Sequence, residues 1–177
     1  REKLSFLELC HTPEKACEVS LLPRDLIGVD GLIVFCDILV PLEAMGMDLS
    51  FHPGKGPVLA DPIGSRNEIG RLKPMDANKD TKYLPDTIRM LVQEAGDELP
   101  ILGFAGSPYT LACYAVEGTT ARHYRKTKAF MMSDPKGFDE LLHVLADAVA
   151  DLLIAQIEAG ASLVQLFDTW AGDLMPD

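Results

Sequence analysis

The chain has 177 residues, 47% of them hydrophobic, enough for a single domain over 1–177 that buries roughly 70% of its unfolded surface. Its 16 basic and 27 acidic residues leave a net charge of −11, which argues against a nucleic-acid partner, because phosphate binding needs concentrated Lys and Arg. The sequence shows neither an apolar run of ~18 residues nor a charged-then-apolar leader, so no membrane partner and no secretory signal are expected.

In chain order, Cys10, Cys17, Cys36 and Cys113 lack CxxC or zinc-finger spacing and read as reduced thiols of a cytoplasmic protein; zinc on Cys10, His11 and Cys17 is the minor alternative. Thr12-Pro13 opens a helix through Ala16, Val19 and Leu22 that Pro23 should interrupt. Leu32 to Cys36 reads as a buried strand ending at Asp37. Leu49 and Phe51 approach the turn Pro53-Gly54-Lys55-Gly56-Pro57, and Val58 and Leu59 leave it, which predicts a small β-excursion over the pocket. Lys73 to Lys82 is linker-like. Pro85 to Ala95 carries Ile88, Leu91, Val92 and Ala95 on one helical face.

Pro100 to Phe104 is a second buried strand, which Gly106-Ser107-Pro108 should not continue. A helix is expected over about Thr119 to Met132. The longest helix begins with Asp134 as N-cap and Pro135 at the first helical position. Its apolar positions Phe138, Leu141, Leu142, Leu145, Val149, Leu152, Leu153 and Ile157 recur until Gly160. Leu163 to Phe167 is the third apolar strand, running into Asp168-Thr169. Strands this far apart in sequence cannot be hairpin partners. They point to a parallel α/β sheet, in which ligands lie beyond the carboxyl ends of the strands. Asp37, Phe104, Gly106, Asp168 and Thr169 should therefore converge on one pocket.

Four words carry a resemblance. Phe35-Cys36-Asp37-Ile38-Leu39-Val40-Pro41, Pro53-Gly54-Lys55-Gly56-Pro57, the Gly103 to Gly118 segment and Gln165-Leu166-Phe167-Asp168-Thr169-Trp170-Ala171-Gly172 stand in order and at compatible spacing. Together they resemble the uroporphyrinogen decarboxylase family over the whole chain. The resemblance implies a TIM (β/α)8 barrel, of which this chain supplies about three β/α units, the second to fourth strands in the family's order. A barrel of this kind typically needs about 250 residues. The chain opens at Arg1, just after the place of a two-arginine word in the family, lacks an initiator Met and stops at Pro176-Asp177, so it reads as an interior piece of a longer protein.

The activity implied is the decarboxylation of the four acetates of uroporphyrinogen to give coproporphyrinogen in tetrapyrrole synthesis, in a homodimer. No metal triad, dinucleotide fingerprint, phosphate-binding loop or nucleophile elbow stands in the chain, so a cofactor-free reaction is expected. The resemblance assigns Asp37 to the pyrrole nitrogens and Tyr114 to the reacting acetate or to Asp37. Phe104 would face the macrocycle, Gly106 would allow close backbone approach, and the Thr169 hydroxyl would hold a carboxylate of the substrate. Asp168 suits a supporting or arginine-pairing role better than contact with an anion. Without the family, Asp37 reads as a turn cap and Tyr114 as a packing residue. His52, His123 and His143 are scattered, with His143 on the solvent face of the long helix or packed against it. Two alternatives accompany this reading: a corrinoid-linked methyltransferase of the same superfamily, and a non-catalytic half-barrel.

Overall fold

Hydrophobic periodicity alternates with helix starts along the chain, and the computed structural model, which describes residues 4–96 and 98–174, follows that alternation. The order is α1 (Phe6–Cys10), α2 (Pro13–Ile27), β1 (Leu32–Ile33), α3 (Val40–Ala44), β2 (Leu49–His52), β3 (Gly56–Leu59), α4 (Arg66–Ile69), α5 (Ala77–Asp80), α6 (Tyr83–Ala95), β4 (Ile101–Gly106), α7 (Pro108–Glu117), α8 (Arg125–Ser133), α9 (Pro135–Glu158) and β5 (Leu163–Phe167). Arg1, Pro176 and Asp177, on which the expected place of the chain within a longer protein rests, lie outside the described residues.

The described residues fall into two compact units. The first holds the chain up to Ile38, Asp76–Ala105 and Asp151–Leu166. Its sheet has the order β1-β4-β5, with Leu32 and Ile33 in parallel register with Ile101 and Leu102. Ser162 N–H donates to Ile101 O at the start of β4 and β5, and Ser107 N–H donates to Phe167 O at their ends, so these strands also run in the same direction. Leu84, Ile88, Leu91 and Ala95 form the buried stripe of α6. Each fully buried Leu or Ile contributes about 1.5–3 kcal/mol.

Three expectations need correction in this unit. The helix that Pro23 should interrupt continues to Ile27. A single missing N–H removes one intrahelical bond, while buried Ala16, Cys17 and Ser20 hold that helix face in place and Gly28, at φ 67°, closes its end. The first strand stops at Ile33 rather than Cys36, because Phe35 N–H donates to the Ser20 hydroxyl at 2.8 Å instead of to a neighbouring strand. The third strand is exposed rather than buried: Leu163, Leu166 and Phe167 are 47%, 45% and 40% accessible, since among the described residues β5 is the last strand in the sheet order β1-β4-β5.

Gln156, on the buried face of α9, is fully inaccessible. Its amide spans the peptide groups of Phe104: Oε1 accepts from Phe104 N–H and Nε2 donates to Phe104 O, both at 2.9 Å. Gly103 makes room for it, because a Cβ there would stand 2.6 Å from Gln156 Oε1. Gln156→Leu keeps the volume but leaves two backbone groups without these partners. It is expected to lower unfolding free energy by about 2–4 kcal/mol, as read by urea unfolding. A loss below about 0.5 kcal/mol would show that Phe104 is satisfied otherwise.

The second unit holds Leu39–Met75, Gly106–Ala150 and the chain from Phe167 onward. The predicted β-excursion is a hairpin, with Leu49 opposite Leu59 and His52 opposite Gly56. Gly54 and Gly56 take φ near +77°, which a side chain adopts only with strain. The hairpin is tied to the end of α7: Leu59 N–H donates to Gly118 O at 2.7 Å, and the Thr119 hydroxyl donates to Pro57 O at 2.9 Å. α7 is buried on every side from Tyr109 to Val116.

The helix expected from Thr119 starts only at Arg125. Glu117 Oε1 accepts from the N–H groups of Lys126 and Thr127 and so supplies from outside the cap that sets the start of α8. Asp134 caps α9 as expected, its carboxylate accepting from Gly137 N–H at 3.0 Å. Phe138 packs edge-on against Phe130 and Tyr109.

Candidate functional site

In the first unit, Asp37 lies in the extended segment that follows β1, half-buried and two residues before Leu39, the N-cap of α3. The N-cap residue Leu39 makes no side-chain cap bond of its own. The segment is held from behind by α1. Phe6 meets Phe35 edge-on at 5.5 Å, and Cys10, one turn further on, is buried and hydrogen-bonded to the Cys36 thiol. That bond, with burial adding to it, holds the Cys36 thiol well above its ordinary pKa. His11 packs against the Tyr83 ring at 4.6 Å. Among the described residues no three His, Cys, Asp or Glu side chains are grouped to hold a metal ion.

Phe104 is half-buried and lies within β4 rather than at its end. The strand reaches Gly106, two residues further than expected. Gly106 accommodates extended backbone, and the break comes at Ser107, where Pro108 starts α7.

In the second unit, Ser107 is a hub. Its hydroxyl caps α7 by accepting from Thr110 N–H at 3.1 Å and donates to Asp168 Oδ1. Thr110 Oγ1 also donates to Asp168 Oδ1, at 2.9 Å, and accepts from Trp170 N–H at 3.3 Å. The Asp168 carboxylate is thus engaged by two hydroxyls that rigidify the 167–170 turn. Thr169 is exposed on that turn. Trp170 stacks at a tilt on Tyr124 at 4.8 Å and faces Tyr114 at 6.1 Å.

Tyr114, 9% accessible, is on α7. Beside it in sequence, burial pushes the Cys113 thiol up to about 11, so it remains a protonated packing group. The structure brings Gly106, Tyr114 and the Asp168-Thr169 turn together within the second unit, through Ser107, Thr110 and Trp170. Asp37 and Phe104 belong to the first.

Ser107, Thr110, Gln156 and Glu117 are absent from the sequence-based site. Sequence signals pointed to two of them, Ser107 and Gln156. Ser before Pro at a strand end is an N-cap followed by a first helical position, and Gln156 is a polar interruption of an apolar helical stripe. His143 is exposed, as one of its two readings had it, with Nδ1 2.9 Å from Asp139 O. No helix among the described residues is long and apolar enough to cross a membrane.

Comparison with known proteins places this geometry. The family described as Uroporphyrinogen decarboxylase (URO-D) matches residues 1–177. The chain is 45% identical over 176 residues to the uroporphyrinogen decarboxylase of Chloroflexus aggregans, covering 99% of this chain and 49% of that protein. Against the uroporphyrinogen decarboxylase of Geobacillus thermodenitrificans it is 45% identical over 177 residues, covering 51% of that relative. The chain spans about half the length of the curated relatives it matches. A solved methyltransferase from Methanosarcina mazei superposes with a TM-score of 0.79 at 21% identity, over 95% of this chain and 49% of that one. At that identity the likeness shows the fold, here the part of a TIM barrel contributed by about three β/α units. The chain belongs to the uroporphyrinogen decarboxylase family.

Proposed function

We propose that this chain forms part of a uroporphyrinogen decarboxylase, which converts the four acetates of uroporphyrinogen to methyl groups. The observation that carries the reading is identity of about 45% to decarboxylases along the whole chain.

When an acetate loses CO2, the electron pair of the broken bond needs a sink, and a pyrrole protonated on carbon is one. The Asp37 carboxylate accepts the pyrrole N–H groups and stabilises the cation as charge develops. The departing CO2 leaves its electrons in the ring, and protonation of the exocyclic carbon then gives the methyl group. Tyr114 orients the reacting acetate through its hydroxyl. Phe104 offers a face to the macrocycle, Gly106 gives it room, and Thr169 binds a carboxylate. Asp168 supports that turn through Ser107 and Thr110.

The test is an assay of a full-length protein carrying this sequence, with CO2 release and stepwise loss of carboxylates from uroporphyrinogen as readouts. Tyr114→Phe is expected to lower kcat about 10-fold, the rate equivalent of losing one hydrogen bond of roughly 1.4 kcal/mol. No CO2 release from the unaltered protein, with methyl transfer and tightly bound zinc in its place, would overturn the reading in favour of a methyltransferase.

A further inference from the structure

The chain carries net charge −11, yet one stretch of the second unit is purely basic. Residues 52–56, at the tip of the hairpin, and residues 119–129, from the turn after α7 into the first turns of α8, contain no aspartate or glutamate, but they hold Lys55, Arg122, Arg125, Lys126 and Lys128, five of the 16 lysines and arginines. The two segments lie side by side. Val58 bridges Thr119, the Thr119 hydroxyl bonds Pro57 O, and a Cβ on Gly56 would meet Thr120 Oγ1 at 4.0 Å. Lys55, Arg122, His123, Arg125 and Lys126 are exposed. Glu117, the acidic neighbour of the turn, directs Oε1 to backbone N–H groups of α8 and to the Thr127 hydroxyl.

The backbone that presents these cations is unusual. His123 and Tyr124, neither of them glycine, both take left-handed conformations, at φ 74° and 45°. Consecutive left-handed residues are costly and persist where packing fixes them. Here the packing is Tyr124, which is buried against Trp170. The turn therefore sends one ring inward while Arg122, His123 and Arg125 stay in solvent. Trp170 also faces Tyr114, so the basic turn is anchored to the same aromatic cluster as the residue proposed to orient the acetate.

The geometry points to Lys55, Arg122 and Arg125 as an electrostatic collar that captures the carboxylates of a polyanionic tetrapyrrole against the acidic background of the protein. The assignment rests on the decarboxylase reading for the identity of the ligand, and adds to it the residues that receive the ligand's charge. A ligand with eight carboxylates approaching a chain of net charge −11 is repelled at long range, and a local cluster of cations reverses that field within about one Debye length, roughly 10 Å at 0.1 M salt.

The probe is uroporphyrin, the oxidised and unreactive form with the same eight carboxylates, titrated into this chain by fluorescence at low and high salt. Binding is expected to be weak and to fall with salt. The triple variant Lys55→Glu, Arg122→Glu, Arg125→Glu should weaken it about 10-fold or more at low salt. The control Lys15→Glu, Lys79→Glu, Lys82→Glu changes net charge equally in the first unit and should weaken it less than about 3-fold. Circular dichroism confirms that each variant is folded. Equal weakening by both triples, an unchanged affinity in the first, or salt-insensitive binding would overturn the collar. So would capture of an acidic polypeptide such as polyglutamate by this patch with no binding of uroporphyrin. Asp37→Asn, assayed for turnover in the full-length protein, separates the two ideas. If it abolishes turnover while the Lys55 triple binds normally, the decarboxylase reading stands and the collar fails. If it leaves turnover intact while the triple loses binding, the collar stands and the role of Asp37 fails.

Discussion

Asp37→Asn in a full-length protein carrying this sequence is expected to lower kcat about 10²–10³-fold, the loss measured when one preorganised electrostatic group is removed from a charge-developing transition state. The amide keeps the shape of the carboxylate and can accept one pyrrole N–H through its oxygen. It cannot supply the negative charge that the protonated pyrrole requires, so KM should change little and kcat greatly. Steady-state turnover of uroporphyrinogen, followed by separation of the partly decarboxylated products, reads both. Turnover within about threefold of the unaltered protein would remove Asp37 from the mechanism.

The second large effect concerns these 177 residues expressed alone. They are expected to show no measurable turnover and to self-associate. Leu163, Leu166 and Phe167 on β5, with Ile154 and Ile157 on α9, are 40–53% accessible, and β5 has a hydrogen-bonded partner on one side. An exposed apolar edge strand pairs readily with another chain. The chain spans about half the length of the curated relatives it matches, so the basic turn by itself should hold uroporphyrin only weakly. Sedimentation velocity should show species heavier than the 19.3 kDa monomer. A monodisperse monomer with ordinary turnover would show that the exposed edge and the positive charge had both been misjudged.

Two of the differences between prediction and structure come from a side chain that reaches a backbone group outside its own element. The Ser20 hydroxyl ends the first strand by taking Phe35 N–H. Glu117 delays α8 by capping it from the end of α7. Neither bond follows from periodicity, because donor and acceptor are 15 and 9–10 residues apart in positions that local patterning treats as independent. The longest helix was legible because its determinants are local: Asp134 as cap, Pro135 at the first turn and an apolar face that repeats to Ile157. The hairpin was legible for the same reason, with two glycines supplying the left-handed positions of its turn.

By itself the sequence determined the family, the parallel α/β class and the identities of the candidate site residues, since whole words such as Phe35-Cys36-Asp37-Ile38 and Tyr114-Ala115-Val116-Glu117-Gly118 carry that information without a third dimension. Only the tertiary structure decided what holds those residues. Gln156 satisfies both peptide groups of Phe104 from 52 positions away, Ser107 and Thr110 converge on Asp168, and Tyr124 anchors a strained basic turn on Trp170. The physical reason is that a buried polar group must find a partner wherever the fold brings one, and residues far apart in the chain meet only once the chain has folded.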